Sequence, residues 1–564
     1  MPATATVRTP GTGGERWPTN RKPNQSPQPD RFSGCRPSQC HGRLTTPATE
    51  DGATITVWVI GDQLTREVGP LARADADERV LIIEAREFAR KLPYHPHKLV
   101  CVFSAMRHFR DDLRESGYEV DYHQVETFGD GLDAHFETHP DDSLVTMEPA
   151  GHGAADRLES LVTERGGEIE FARDERFLCS ADRFEEWAGD DDQFEHEAFY
   201  RMLRRETGYL MDDGEPVGGE WNYDESNREF PGEEYDPPDP PRFEPDDLTE
   251  NVIEWVGEEF AGGYDEPPYG GSWADPGAFV WPVTREEALD ALADFVEHRL
   301  PEFGPYQDAM LDEEWTLNHA LLSVPLNLGL LHPREVVERA LDAHDERDLP
   351  LSSVEGFVRQ VIGWREFMRH TYRRAMPDLA MANGLDADHD LPDFYWTGDT
   401  EMACLADVVG SVRERGYSHH IERLMVLSNF ALLYGVRPAA INRWFHAAYV
   451  DAYHWVTTPN VIGMGVFGSD RLSTKPYAAS ANYLDDMSDY CGDCAYDPDE
   501  TTGENACPFN ALYWDFLGRN EDRLRKNHRM GLVYSHWDDK DDDERAAIRD
   551  RVGEIRDLAR TGDL

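Results

Sequence analysis

The stretch Glu355-Gly356-Phe357-Val358-Arg359-Gln360-Val361-Ile362-Gly363-Trp364-Arg365-Glu366-Phe367 decides how the larger part of this chain folds. Apolar residues recur at spacings of three and four through 354–368, and the same period returns over 288–300 and 420–434. That period lays one apolar stripe along a helix. Few strand-like runs intervene between 284 and 450, so the region reads as all-helical.

Working towards the N-terminus, the pattern changes to short apolar runs at 54–60, 80–84, 99–103 and 144–147, separated by helical spacing. Runs of this kind are how βαβ units read. The first run ends in Gly61-Asp62-Gln63-Leu64, which places a carboxylate and an amide just past the carboxyl end of a strand, where open α/β sheets bind ligands. An ordinary capped turn explains these four residues equally well. The expected architecture is therefore an α/β, Rossmann-like N-terminal domain with a parallel sheet, followed by a large all-α domain. Boundaries fall at 53–182 and 276–540, with a long connection at 183–275 rich in Asp, Glu, Gly and Pro. A helical tail follows at 541–564. Residues 1–52 lack periodicity and read as a disordered tail or an upstream start. There is no internal repeat.

Composition limits function. The chain has 564 residues, enough for more than one core. Asp and Glu number 111 against 55 Lys and Arg, a net charge of -56 spread along the chain. Such an acidic surface is the kind halophiles use to stay soluble. It also opposes DNA binding, since phosphate contacts need local cations and weaken with salt. One exception stands out, the basic and aromatic patch Phe199-Tyr200-Arg201-Met202-Leu203-Arg204-Arg205, which suits either phosphate contacts or a balanced amphipathic helix. No apolar run reaches 18 residues, so no membrane span is expected, and the expected setting is a cytoplasmic monomer.

Cys491-Gly492-Asp493-Cys494 is a two-residue spacer of the kind that points two thiolates at one metal. Cys507, directly before Pro508, and Cys404 complete a set of four. Spacing leaves tetrahedral zinc and a [4Fe–4S] cluster equally open, with free or paired thiols as the third reading. Cys101 and Cys179 lie in or beside apolar runs and read as core residues.

The stretch 355–367, with its Trp-Arg-Glu-Phe core, resembles the flavin-domain signature of photolyases and cryptochromes. Gly416-Tyr417-Ser418-His419-His420-Ile421-Glu422-Arg423, Tyr449-Val450-Asp451, Pro459-Asn460, Thr474-Lys475-Pro476-Tyr477 and Asn505-Ala506-Cys507-Pro508 resemble the iron-sulfur branch of that superfamily. The likeness runs from about residue 54 to about 537. It implies FAD held by Ser323, Asn327, Gln360, Trp364, Arg365, Glu366, Asp451 and Asn460, and a [4Fe–4S] cluster on Cys404, Cys491, Cys494 and Cys507. It also implies a 6,7-dimethyl-8-ribityllumazine antenna near Asp62, Gln63 and Glu84. The implied activity is light-driven repair of UV-damaged DNA, with an adjacent histidine pair marking the (6-4) photoproduct. His420 takes the role of acid, His419 supports it, and Tyr477 and Tyr417 stand near the lesion. Lys475, Arg201 and Arg205 contact phosphates, while Trp396 and Trp444 relay electrons. Two departures stand out: Phe445 where the electron route has a tyrosine, and Ala320 where a small hydroxyl residue is usual, with Ser323 nearby to compensate. A cryptochrome-type photoreceptor without repair is the second reading, and a cysteine-cluster DNA-binding scaffold the third.

Overall fold

The structure is a computed structural model that describes residues 54–74, 78–191, 193–232, 235–260 and 273–564. The expectation for residues 1–52, with Cys35 and Cys40, lies outside these residues. Five strands, β1 (Ile55–Val59), β2 (Arg79–Ala85), β3 (Glu119–Val125), β4 (Ser143–Met147) and β5 (Glu168–Ala172), form one parallel sheet in the order β3-β2-β1-β4-β5. Alternation along β1 sends Val57 and Val59 to one face and Trp58 to the other. The helices Phe128–Thr138 and Ala154–Thr163 cover the Trp58 face with Leu132, Leu158 and Val162. On the opposite face lies the helix Pro96–Glu115.

That helix corrects the reading of 99–103 as a strand. Pro96 starts it, and the His95 side chain accepts the His97 amide. Leu99, Val100, Cys101, Val102 and Phe103 are all buried, because the helix is enclosed on one side by the sheet and on the other by the helical body. A helix buried all round shows an unbroken apolar run, as a buried strand does. Conversely, β3 and β5 were missed because they carry polar, part-exposed residues at the sheet's edges.

The connection 183–275 holds more regular structure than its composition suggests. The helix His196–Thr207 buries Phe199, Tyr200 and Leu203, and the helix Asp247–Phe260 packs Trp255 on Phe103 with ring centroids 5.1 Å apart. Enough apolar residues at helical spacing outweigh the surrounding prolines. The C-terminal helix Asp542–Thr561 is likewise part of the body: a capping box of Asp541 and Glu544 starts it, and Ile548, Val552 and Ile555 are buried. Between 285 and 561 the chain is helical, as expected. Among the described residues no helix is long and apolar enough to cross a membrane.

The two halves share one core, in which Val57 and Val80 join the same cluster as Phe295, Val354 and Phe367. Polar ties fix the docking. Lys98, fully buried, donates to the carbonyls of His446 (2.8 Å) and Ala452 (2.7 Å), and the Leu64 amide donates to the Leu328 carbonyl at 2.9 Å. Gly329 makes that last contact possible. Its φ is +90°, and a Cβ there would sit 3.0 Å from the Leu64 nitrogen. Gly329→Ala is therefore expected to lower stability by about 1 to 2 kcal/mol or more, measured by chemical denaturation.

Candidate functional site

Four helices of the body widen into π-helical turns, at Phe295–Arg299, Arg359–Arg365, Glu422–Ser428 and Pro459–Gly465. Such turns are rare, break the regular backbone ladder and concentrate at functional sites. Here they fall on the 355–367 signature, directly after the histidine pair and on Asn460.

Between them lies a buried ion pair. Asp451 accepts both guanidinium nitrogens of Arg423, at 3.0 and 3.1 Å, and the Ser323 hydroxyl at 2.7 Å. Asn327 donates to the Asp451 carbonyl at 2.9 Å. Arg423 also lies over the rings of Tyr449 (4.1 Å) and Tyr417 (5.0 Å). Beyond Tyr417 stand Trp281 and Trp315, which with Arg299, Ala320 and Leu321 line a small open cleft. Ser323, Asn327 and Asp451 are thus brought together, and Ala320 stands at the rim of the cleft. Breaking a buried pair of this kind costs about 3 to 5 kcal/mol.

The remaining residues expected at the flavin serve other contacts. Trp364 stacks on His196 at 3.8 Å, and Asn460 donates to the Val456 carbonyl of its own helix at 2.8 Å. Gln360 is half-buried in the same π-helical turn as Trp364. Arg365 lies over Phe177 and Trp455, and Glu366 accepts the amides of Leu178 (3.1 Å) and Cys179 (3.0 Å). Arg365 and Glu366 therefore bind the helical body to the end of the α/β domain. Burial drives the Glu366 carboxyl up to about 7, against the pull of Arg365 and the two amides.

Three imidazoles, of His319, His419 and His420, converge within 4.8 Å. His419 is fully buried, stacked on His319 at 4.6 Å, with its Nε2 3.1 Å from Glu422. His420 is 45% exposed at the side chain and faces Asp308 at 3.3 Å. Burial, followed by the neighbouring His419 and His420, holds His319 well below the ordinary imidazole range, so it stays neutral. The pair thus splits into one buried ring and one open ring, as adjacent positions at the start of a helix require.

Trp396 and Trp444 stand 6.4 Å apart, edge to face. Trp444 continues to Phe445 (5.1 Å) and Tyr449 (5.8 Å), whose hydroxyl is 2.9 Å from Ser418. On the outer side Trp396 meets Trp273 at 5.2 Å. A chain of rings therefore runs from Trp273 to Tyr449 and ends on Arg423 and Asp451.

Cys404 and Cys507 are buried and Cys491 and Cys494 half-buried. All four belong to or pack on one core cluster. Burial and then the other three sulfurs raise the Cys404 thiol well above its usual range, so a cation at this place is needed to hold thiolates. The donor set fits a thiophilic centre.

At the sheet's carboxyl edge, Gln63 spans the gap between β1 and β4, donating to the Met147 carbonyl at 2.9 Å. Asp62 lies 3.1 Å from Arg176. Glu84 is saturated: Arg107 binds both its oxygens (3.0 and 2.7 Å), and Tyr122 and Gln124 donate as well. Of the residues expected at DNA, Lys475 and Arg205 are exposed, Arg205 lying over Trp221 at 4.6 Å. Arg201 is paired with Glu197 at 2.8 Å, and Tyr477 is half-buried. Tyr417, placed at the lesion by its motif, is instead buried beneath Arg423, because Trp281 and Trp315 close over it.

The polar groups fit a dinucleotide cofactor. Arg299 Nε, Gln307 Oε1, Asn318 Oδ1, His319 Nε2 and His419 Nδ1 are buried without a hydrogen-bond partner, a set of groups that a polar ligand would satisfy. Sequence reading did not single out Arg423, Tyr449, His319, Asp308 or Trp273. Arg423 and Tyr449 sit inside quoted motifs, whereas Trp273 lies in the biased connection and carries no sequence signal.

Comparison with known proteins adds three findings. The family model described as deoxyribodipyrimidine photo-lyase-related protein matches residues 57–267. A (6-4) photolyase of Agrobacterium fabrum (strain C58 / ATCC 33970) is 41% identical over 501 residues, covering 87% of this chain and 97% of that protein. The crystal structure of a bacterial class III photolyase from Agrobacterium tumefaciens superposes with a TM-score of 0.56 at 15% identity, over 92% of this chain and 100% of that one, a likeness of fold.

Glu366 supplies a test of the domain junction. A carboxyl whose folded pKa lies above its unfolded value contributes stability at low pH and loses it as pH rises through the folded value. Relative to Glu366→Gln, the wild-type chain is expected to lose on the order of 3 kcal/mol between about pH 4.5 and 7.5. Melting both proteins across that range checks the sign.

Proposed function

This chain belongs to the photolyase and cryptochrome family, and from that premise we propose that it repairs UV-damaged DNA by light-driven electron transfer, with the (6-4) photoproduct as its lesion. The observation that carries the lesion class is the open imidazole of His420, paired with Asp308 and backed by two buried imidazoles.

FAD, when bound, supplies the electron that light releases. Asp451 and Arg423 hold a fixed dipole behind Tyr417, and Ser323 and Asn327 keep Asp451 oriented. Trp396 and Trp444 carry electrons inward, with Trp273 as the outer member and Tyr449 as the inner one. Phe445 has no phenolic proton to give, which leaves Tyr449 and Tyr395 as the phenols against Trp444, the Tyr395 hydroxyl being spent on the Leu427 carbonyl. His420 transfers a proton to the lesion's hydroxyl, a step that Asp308 supports by orienting the ring. His419 keeps the backbone of the pair in place through Glu422. Tyr477 walls the lesion, and Lys475, Arg205 and Arg201 meet phosphates, Arg201 after releasing Glu197.

For the cysteines we assign a [4Fe–4S] cluster. The Cys491–Cys494 spacer, with Cys404 and Cys507 in the same core and the motif resemblance to the iron-sulfur branch, supports that reading. Gln63 and Asp62 are assigned to the antenna, 6,7-dimethyl-8-ribityllumazine, with Glu84 shaping the wall through Arg107 and Tyr122.

Purified, reduced protein under blue light is expected to restore thymines in a duplex carrying a (6-4) photoproduct and to leave cyclobutane dimers intact. A protein that photoreduces but repairs neither lesion would favour the photoreceptor reading. His420→Ala is expected to lower (6-4) repair on the order of 100-fold while flavin photoreduction is kept. Trp444→Phe is expected to do the reverse: photoreduction slows sharply, and chemically reduced protein still repairs.

A further inference from the structure

On the sheet face covered by the helix Phe128–Thr138, away from the centre just described, Asp121 and His123 sit two residues apart on β3. They therefore share one face, and β-sheet register places them beside Leu81 and Ile83. That is the face the helix covers, with Leu132 packed on Leu81 and Ile83 in one cluster. His135 and His139 are four apart at the end of the helix and project to the same side. Gly131 lets the helix lie close, since a Cβ there would meet the Ile83 side chain at 2.6 Å.

The result is a compact nest of ligand atoms. His135 Nδ1 is 2.6 Å from one oxygen of Asp121, and His123 Nε2 is 2.8 Å from the other. Ligand atoms of Asp121, His135 and His139 all lie within 4.8 Å of one another. His123 Nε2 has no aligned hydrogen-bond partner. His135 is fully buried, and its Nε2 is also unpartnered, pointing at Asp142 from 3.8 Å. Asp142 in turn is held by the Thr56 hydroxyl at 2.7 Å and by Arg79.

We propose that Asp121, His135 and His139, with His123 as the fourth ligand, bind a divalent transition-metal ion of the zinc class. Imidazoles with a single carboxylate select zinc over magnesium or calcium, which take oxygen ligands. Ligand atoms around tetrahedral zinc stand about 3.3 Å apart, so Asp121, His135 and His139 close on an ion by side-chain shifts, and His123, already against Asp121, turns in to complete the set. Metal-bound histidines commonly pass their second nitrogen to a carboxylate, and His135 has Asp142 placed to serve in that way. The site lies near the amino ends of the strands: Asp121 is the third residue of β3, and Asp142 directly precedes β4. The antenna residues Asp62 and Glu84 lie at the opposite, carboxyl ends. Its role is structural, tying the polar edge strand β3 to its covering helix.

The test uses the full-length, tag-free chain with its cysteine centre intact. Zinc is added to chelator-treated protein and followed by metal content, calorimetry and thermal melting, alongside His139→Ala and His123→Ala, both at half-buried positions that the fold tolerates. Wild type is expected to bind one more zinc per chain than His139→Ala, with a saturable rise in Tm. His139→Ala is expected to lose that equivalent or bind it on the order of 100-fold more weakly. Its far-UV circular dichroism and flavin absorption should match wild type, which separates ligand loss from misfolding. Equal zinc content in wild type and His139→Ala, or a wild-type Tm that zinc does not move, would overturn the proposal.

Discussion

A carboxylate cannot be taken out of water without partners, and the burial of Asp451 governs how the helical half assembles. Its two oxygens and its carbonyl draw in Arg423 from one segment and Ser323 and Asn327 from another, while Lys98 from the α/β half reaches the next carbonyl, that of Ala452. The same charge therefore closes the cofactor wall and helps to dock the domains. Removing Arg423 or Asp451 alone would strand its partner, so the pair persists as a unit.

Around that centre aromatic rings and titratable groups are segregated. Rings in contact from Trp273 to Tyr449 run through the core of the cysteine-bearing region, with the Tyr395 ring also against Trp444 at 5.2 Å. Imidazoles and carboxylates collect instead on the other side, at His319, His419, His420, Glu422 and Asp308. Neutral His319 stands behind His419, and His420 is the one ring of the three that faces solvent.

The surface charge of -56 constrains how such a site meets DNA. Arg201 is already paired with Glu197, so the proposed DNA contact draws on few cations, Lys475 and Arg205 among them, and on the shape of a flipped base.

Local pattern alone determined the two halves of this protein, the strands β1, β2 and β4, the long helices and the cysteine spacing, because periodicity and turn chemistry are properties of neighbours in the chain. The motif 416–423 also marked where the histidine pair stands. Tertiary structure alone decided that 99–103 is a helix, since burial on every side erases the period that tells helix from strand. It alone turned Arg365 and Glu366 towards the domain junction, buried Tyr417 under Arg423, opened His420 while enclosing His419, and brought Trp273 against Trp396. Those outcomes depend on contacts between residues tens to hundreds of positions apart, and a side chain's type does not state which distant partner will reach it.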